Sequence, residues 1–263
     1  MVELPARGKS YIARKLCRYL NWLQYPTKVF NVGEKRRNPV TKANEATGLN
    51  SDNLKTRPDN VAHSAAFFDP DDQNAKQIRE QIAMEVLDDL LQYLQEDGKV
   101  AIFDATNTTT ERRAMIVKRV MRVNSGLKIL FIESQCFNQT ILTSNINLNL
   151  SGLDYKAADP LNALIDFKSR IWMYQKRYTP IDEDEQHHDY SYCQVIDVGR
   201  KTITHNINNI LSCQVSEFLQ KYHLYPRQIW LTRHGESEDD INETLGGDSC
   251  LSAEGLKFAK SLS

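Results

Sequence analysis

MVELPARGKSYIARKLCRYL, residues 1–20, decides how the rest of the chain is read. Its middle carries Gly8-Lys9-Ser10, and apolar residues follow at helical spacing from Lys9 to Trp22. Glycine, four residues, then Gly-Lys-Ser/Thr, between a strand and a helix, is the pattern of a phosphate-binding loop. Backbone N–H groups near the helix N-terminus attract phosphate there; Lys9 would reach the outer phosphates and Ser10 would ligate Mg²⁺. The first glycine of the pattern is replaced by Glu3. A carboxylate at that place adds repulsion beside the phosphates, and its Cβ disfavours backbone angles that glycine allows. Only Met1 and Val2 come before it, so the strand expected to hold the loop is nearly missing. Gly-Lys-Ser at a helix start also arises by chance, so the loop needs support from elsewhere in the chain.

That support begins with an alternation. Apolar runs bounded by turn signals occur at 27–33 (TKVFNVG), 99–106 (KVAIFDAT), 127–134 (LKILFIES), 194–199 (QVIDVG) and 228–233 (QIWLTR). Lys9 to Trp22, Ala75 to Leu94, Thr110 to Val123 and Leu161 to Tyr174 carry helical spacing. Strand–helix alternation predicts an α/β fold with a mainly parallel sheet covered by helices on both faces, whose ligands bind beyond the carboxyl ends of the strands. Residues 38–66, rich in Asn, Thr and Asp, read as a long loop. KYHLYPRQ, 221–228, marks a boundary: a helix ends, a proline follows and a strand begins.

Bulk properties exclude several classes. The 263 residues are 41% hydrophobic and 25% charged, as in soluble globular proteins, and suffice for one full core with part of a second domain. A net charge of −1 offers nothing global to nucleic acid or to an anionic membrane. No run approaches the roughly 18 apolar residues of a membrane span. Five scattered cysteines without paired metal spacing fit reduced thiols in the cytoplasm.

FDATNTTTERR, 103–113, strengthens the loop reading. A strand ending in Asp is where phosphate-loop proteins place a carboxylate near the metal or the acceptor hydroxyl. Asp104 occupies that place, Thr106 follows, and the next helix would aim Arg112 or Arg113 at the site. Alone, Asp104 reads as a turn former and Thr110 as a helix cap. Beside Gly-Lys-Ser, the functional reading prevails.

LPARGKSYIARKLCRYLNWLQYPTKVFNVGEKRR, FDATNTTTERR, FIESQC and RHGESE with GGDSCLS, in this order, closely resemble the 6-phosphofructo-2-kinase/fructose-2,6-bisphosphatase family. The resemblance implies a P-loop NTPase-type kinase domain over 1–223. After it, 224–263 would be the first strand and helix of a truncated phosphoglycerate-mutase-like histidine phosphatase domain. It implies ATP and Mg²⁺ as cofactors and fructose 6-phosphate as substrate, phosphorylated at its C2 hydroxyl, with no nucleic-acid or membrane partner and a homodimer as a candidate assembly. Pro5, Ala6, Arg7, Gly8, Lys9 and Ser10 would form the ATP loop, with Asn145 starting a further ATP-contacting segment. Ser10 and Asp104 would face the metal. Arg36, Arg79, Thr106, Arg112, Arg170 and Tyr174 match sugar-phosphate contacts, while Lys9, Asp104 and Cys136 match positions important for kinase activity. A phosphorylated sugar requires several guanidinium groups to hold its dianion, which suits the arginine count.

Departures from the family pattern are equally definite. Glu3 replaces glycine, and NINLNLSGLDY, 145–155, runs one residue short and lacks a phosphate-reaching lysine, with Asn149 or Leu150 in its place. Losing such a cation could cost several orders of magnitude in rate. In TRHGESE, 232–238, His234 would be the nucleophile of a histidine phosphatase and Arg233 its phosphate-binding partner. The later segment carrying a second histidine and an acid does not occur, and Asp240 replaces an asparagine, so phosphatase activity is not expected. Two readings follow: a 6-phosphofructo-2-kinase, weakened by Glu3 and the lost lysine, or an impaired paralogue or truncated product that binds a sugar phosphate or a sister subunit.

Overall fold

The computed structural model describes residues 1–37, 65–69, 71–152, 155, 159–181, 189–221 and 231–262. The chain forms two compact units, Met1–His223 and Leu224–Ser263.

In the first unit, helix α1 (Lys9–Trp22) starts at Gly8, whose φ of 97° lies in the left-handed region that glycine enters without strain. Strand β1 (Thr27–Asn31) and helix α2 (Val32–Arg37) follow, then a 3₁₀ turn over Ala65–Phe68. Helix α3 (Gln73–Gln95) is capped by the Asp72 carboxylate, which accepts the Ala75 N–H. Strand β2 (Val100–Asp104) leads to helix α4 (Thr110–Val123), capped by the Thr109 hydroxyl. Strand β3 (Leu130–Gln135), helix α5 (Gln139–Leu150) and helix α6 (Pro160–Gln175) come next, α6 being opened by an Asp159 cap and Pro160 in its first turn. Strands β4 (Ser191–Ile196) and β5 (Lys201–His205) and helix α7 (Ile210–Lys221) complete the unit.

β1 and β2 pair in parallel from Thr27↔Val100 to Asn31↔Asp104, and β3 pairs in parallel with β4 from Leu130↔Ser191. β5 adds antiparallel to β4. The gap between β2 and β3 is filled by residues 1–4. The Met1 amino group donates to Phe103 O (3.1 Å) and the Glu3 N–H to Thr106 O (3.0 Å) on one side. On the other, the Val2 N–H donates to Ile132 O (2.7 Å), and Val2 O accepts the Ser134 N–H (3.1 Å). The strand that the sequence left nearly missing is thus supplied by four buried residues. The backbone groups of Met1, Val2 and Glu3 find partners on both sides.

Side chains alternate across the sheet. Ile12, Leu16 and Leu20 of α1 pack with Ile102, Ile132, Val195 and the α7 residues Val215 and Leu219 on one face. Phe30 and Phe103 point the other way, into Leu87, Leu90 and Leu91 of α3 and Ile116 and Val120 of α4. Helices therefore cover both faces, as the alternation predicted. β5 was not legible: its half-exposed pattern belongs to an edge strand with little burial to mark it. Of the expected 38–66 loop, residues 38–64 lie outside the described residues, while Ala65 and Ala66 belong to the 3₁₀ turn.

In the second unit, helices α8 (Glu238–Ile241) and α9 (Ala253–Leu262) flank a bridge between Ser237 and Leu251. Backbone segments touch at Gly255, where a Cβ would come within 2.1 Å of Glu236 O. The strand expected over 228–233 is a correction. Residues 228–230 lie outside the described residues, and 231–233 are irregular, with Leu231 almost fully exposed and no ladder partner among the described residues.

Beneath the centre of the sheet, Glu133 is fully buried and accepts Tyr178 Oη–H (2.6 Å), the Ile181 N–H (3.2 Å) and Gln194 Nε2–H (2.6 Å). Burial pushes its carboxyl up, while these donors pull it back. Glu133→Ala orphans them together and should lower unfolding free energy by about 3 kcal/mol in a denaturant titration; a loss below about 0.5 kcal/mol would refute this account.

Candidate functional site

The carboxyl ends of β1, β2 and β3 and the start of α1 meet at one rim. Lys9 Nζ donates to Asp104 Oδ1 at 2.5 Å and approaches Ser10 Oγ at 3.5 Å. Asp104 Oδ2 accepts Asn31 Nδ2–H from the neighbouring strand end. Burial alone would push the Asp104 carboxyl up, but the Lys9 ammonium and hydrogen bonds from Lys9 and Ser10 outweigh it and hold the group below the usual carboxylate range. Asp104 is therefore ionised across the neutral range, and it fixes Lys9 across the mouth of the loop.

The loop is anchored by its carbonyls. Ser134 Oγ–H donates to Arg7 O (2.9 Å) and Asn145 Nδ2–H to Ala6 O (3.0 Å), tying residues 5–8 to β3 and α5. Ala6 adopts a positive φ of 65°, and Pro5 begins the turn. Glu3 occupies part of the cradle: its Oε1 accepts the Lys9 N–H at 2.8 Å, a donor that a phosphate-binding loop turns toward its ligand. Glu3 is 2% exposed, and burial pushes its carboxyl up to about 8, partly offset by the Lys9 charge. Glu3 is thus neutral at pH 7. The charge repulsion expected from sequence gives way to competition for one N–H. The remaining donors, the Lys9 ammonium and the loop curvature fit a nucleotide phosphate once Glu3 yields that N–H. The Ser10 hydroxyl and Asp104 carboxylate are the oxygen donors that Mg²⁺ takes alongside phosphate oxygens.

A second cluster is cationic. Arg36 of α2, Arg79 of α3 and Arg170 of α6 converge on the 3₁₀ turn. The Arg170 guanidinium lies 4.0 Å from the Phe68 ring centroid and that of Arg36 5.2 Å from the same ring. Arg79 lies 5.8 Å from the Phe67 ring and donates to Phe67 O and, at 3.1 Å, to Asp69 O. Arg112, in the first turn of α4, pairs with Glu80 and interacts electrostatically with Tyr174 and Arg79. Arg113, offered as its alternative, is instead fully buried and donates to Asn107 O at 3.0 Å, a structural post under the β2–α4 connection.

The other expected residues divide. Thr106 O accepts the Glu3 N–H, so Thr106 holds the loop's entry strand. Cys136 is buried just beyond β3 with its thiol pushed up by desolvation, and Sγ faces Asn138 O at 3.8 Å. In the second unit, the His234 side chain is 60% exposed, with Nδ1 2.7 Å from Gly235 O and 3.8 Å from Asp240 Oδ2. Arg233 pairs with Asp240 at 2.8 Å. Among the described residues of this unit His234 is the one histidine, and Asp240 is the carboxylate beside it.

A parallel sheet, a glycine-led loop opening a helix, and a lysine–aspartate pair across that loop define a P-loop fold of the kinase type. Residues 1–226 match the family model described as 6-phosphofructo-2-kinase. The chain belongs to that family. It is 45% identical over its whole length to a 6-phosphofructo-2-kinase of Saccharomyces cerevisiae, spanning 30% of that protein. It is 42% identical to a probable 6-phosphofructo-2-kinase of Schizosaccharomyces pombe, spanning 36% of it. Identity is also 42% to human 6-phosphofructo-2-kinase/fructose-2,6-bisphosphatase 3, of which it spans 47%. The chain thus covers about a third to a half of the curated relatives it matches.

Sequence reasoning missed Asn31, Glu80, Phe67 and Phe68. The one available signal was AAFF, an apolar turn closing a long polar stretch.

The Glu3 carboxyl supplies a pH test. Its folded value of about 8 lies above its ordinary 4.5, so folding favours the protonated form. That contribution is fully present below about 4.5 and is lost as pH rises through about 8. Thermal melts from pH 5 to 9 should show the wild type losing stability relative to Glu3→Gln; parallel curves would refute burial of the acid.

Proposed function

We propose that this chain transfers a phosphoryl group from ATP to the C2 hydroxyl of fructose 6-phosphate, giving fructose 2,6-bisphosphate. The observation that carries this is the Lys9–Asp104 pair across the loop mouth; the gathering of Arg36 and Arg170 on the Phe68 ring supports it. The names of the relatives and the family match support the same chemistry.

When bound, MgATP supplies the phosphoryl group and neutralises charge on its oxygens. Lys9, held by Asp104, presents its ammonium where charge on the transferred group changes. Gly8 and Ser10 would offer backbone N–H groups to the phosphates, and Ser10 and Asp104 would offer oxygens to the cation. Arg36, Arg79, Arg112 and Arg170 bind and orient the sugar's phosphate, which fixes the C2 hydroxyl relative to the loop. Phosphoryl transfer needs this positioning and charge balance more than covalent chemistry. The activity is assigned to the first unit alone, and the five free cysteines support a reducing cytoplasmic setting.

A sugar-phosphate binder without turnover is the second reading, favoured by the Glu3 carboxyl seated on the Lys9 N–H. Incubation with MgATP and fructose 6-phosphate, with assay of the bisphosphate, separates the two. Product is expected, and Lys9→Met should lower kcat by about a hundredfold or more. Absence of product from wild type that still binds fructose 6-phosphate would establish the binder. Glu3→Gly should tighten ATP binding by freeing the N–H; an unchanged Kd in calorimetry would reject that competition.

A further inference from the structure

We propose that Phe68 is a positioning residue of the sugar-phosphate site, its ring gathering the Arg36 and Arg170 guanidinium groups before substrate arrives. The inference rests on the sugar-kinase reading above and adds to it the element that organises the arginines.

Arg36 and Arg170 come from helices far apart in the chain, and both guanidinium groups lie within cation–π range of one ring, at 5.2 and 4.0 Å. Two cations so placed repel each other. The negative face of an aromatic ring attracts each of them without a net charge that would later compete for a phosphate. Arginine suits this arrangement because its planar group is weakly hydrated and stacks.

The ring is itself fixed. Phe68 is 7% exposed, Phe67 meets it edge-on at 5.4 Å, and Tyr174 lies 5.6 Å away from the opposite helix partner α6. Arg79 ties the turn down through Phe67 O and Asp69 O. A plain packing role is the competing account, since Phe67, Phe68 and Ala75 form a small apolar cluster with Ile78 and Tyr174. Packing alone, however, would be satisfied by any apolar side chain of similar size. Attraction for two guanidinium groups requires a π face.

That difference sets the test on the full chain. Phe68→Leu keeps apolar bulk and removes the ring, whereas Phe68→Tyr keeps the ring. Calorimetry with fructose 6-phosphate and, separately, with ATP should show Phe68→Leu weakening sugar-phosphate binding about tenfold while ATP binding stays within about twofold. KM for the sugar phosphate should rise by a similar factor with kcat little changed. Phe68→Tyr should restore wild-type values. Where Phe68→Leu does not fold, pentafluorophenylalanine at position 68 inverts the ring's electrostatic face at nearly constant shape and should weaken fructose 6-phosphate binding alone. Unchanged sugar-phosphate affinity in Phe68→Leu or in the fluorinated protein, equal losses in Phe68→Leu and Phe68→Tyr, or a matching loss for ATP would overturn the proposal and leave the kinase reading standing. Failure of wild type to bind fructose 6-phosphate at all would overturn both.

Discussion

The hydrogen bonds of Met1, Val2 and Glu3 to β2 on one side and β3 on the other join what would otherwise be two separate small sheets. The loop that carries Lys9 and Ser10 depends on that join. Val2 is fully buried, and Leu4 leads straight into the loop, so the loop's position is set by strand register rather than by its own weak preferences. Because β1, β2 and β3 run parallel to this segment, their carboxyl ends fall at the same edge. Asn31, Asp104 and Lys9 meet there as a consequence of register. Side chains also anchor the loop, with Ser134 and Asn145 holding the carbonyls of Arg7 and Ala6.

Glu3 is the point where this chain's electrostatics are least ordinary. Lys9 faces two buried carboxyls, and its ammonium bonds directly to only one of them. Asp104 therefore keeps the charge, while burial keeps the proton on Glu3. An acid that replaces glycine in a phosphate loop looks, in a sequence, like a fixed negative charge. In the fold it behaves as a neutral hydrogen-bond acceptor, and its effect on a ligand passes through one backbone N–H.

Much of this architecture was legible because it rests on periodicity. Lys9–Trp22 and Thr110–Val123 were readable from apolar spacing, although the second helix is capped by Thr109 rather than by Thr110 as the sequence suggested. Asp104 and Lys9 were readable as a pair because strand-end aspartate and Gly-Lys-Ser constrain each other chemically. Where signals are weak, reading failed. β5 is an edge strand with mixed exposure, and the 231–233 run has no ladder partner among the described residues to confirm its apolar pattern. Arg112 and Arg113 could not be separated, because a helix turn places neighbours on different faces and only packing decides which is buried. Phe68 was silent for the same reason: an aromatic residue in a turn reads as core until the arginines around it are seen.

The two halves of the site hold their cations by different means, and the difference follows from what each must do. On the loop side, Lys9 is bound to a full carboxylate at 2.5 Å, in a nearly buried setting where breaking the pair would strand a charge. Such a lysine stays in place whether or not a phosphate is near, which suits a group that must meet charge as it moves during transfer. In the arginine cluster, the contacts of Arg36, Arg79 and Arg170 include ring faces and backbone carbonyls. Those contacts help to orient the guanidinium groups, which in the proposed function would meet a dianion. Arg112 is intermediate, anchored by the half-exposed Glu80. Under the proposed transfer, the carboxylate-held lysine serves the chemistry and the ring-faced arginines serve binding.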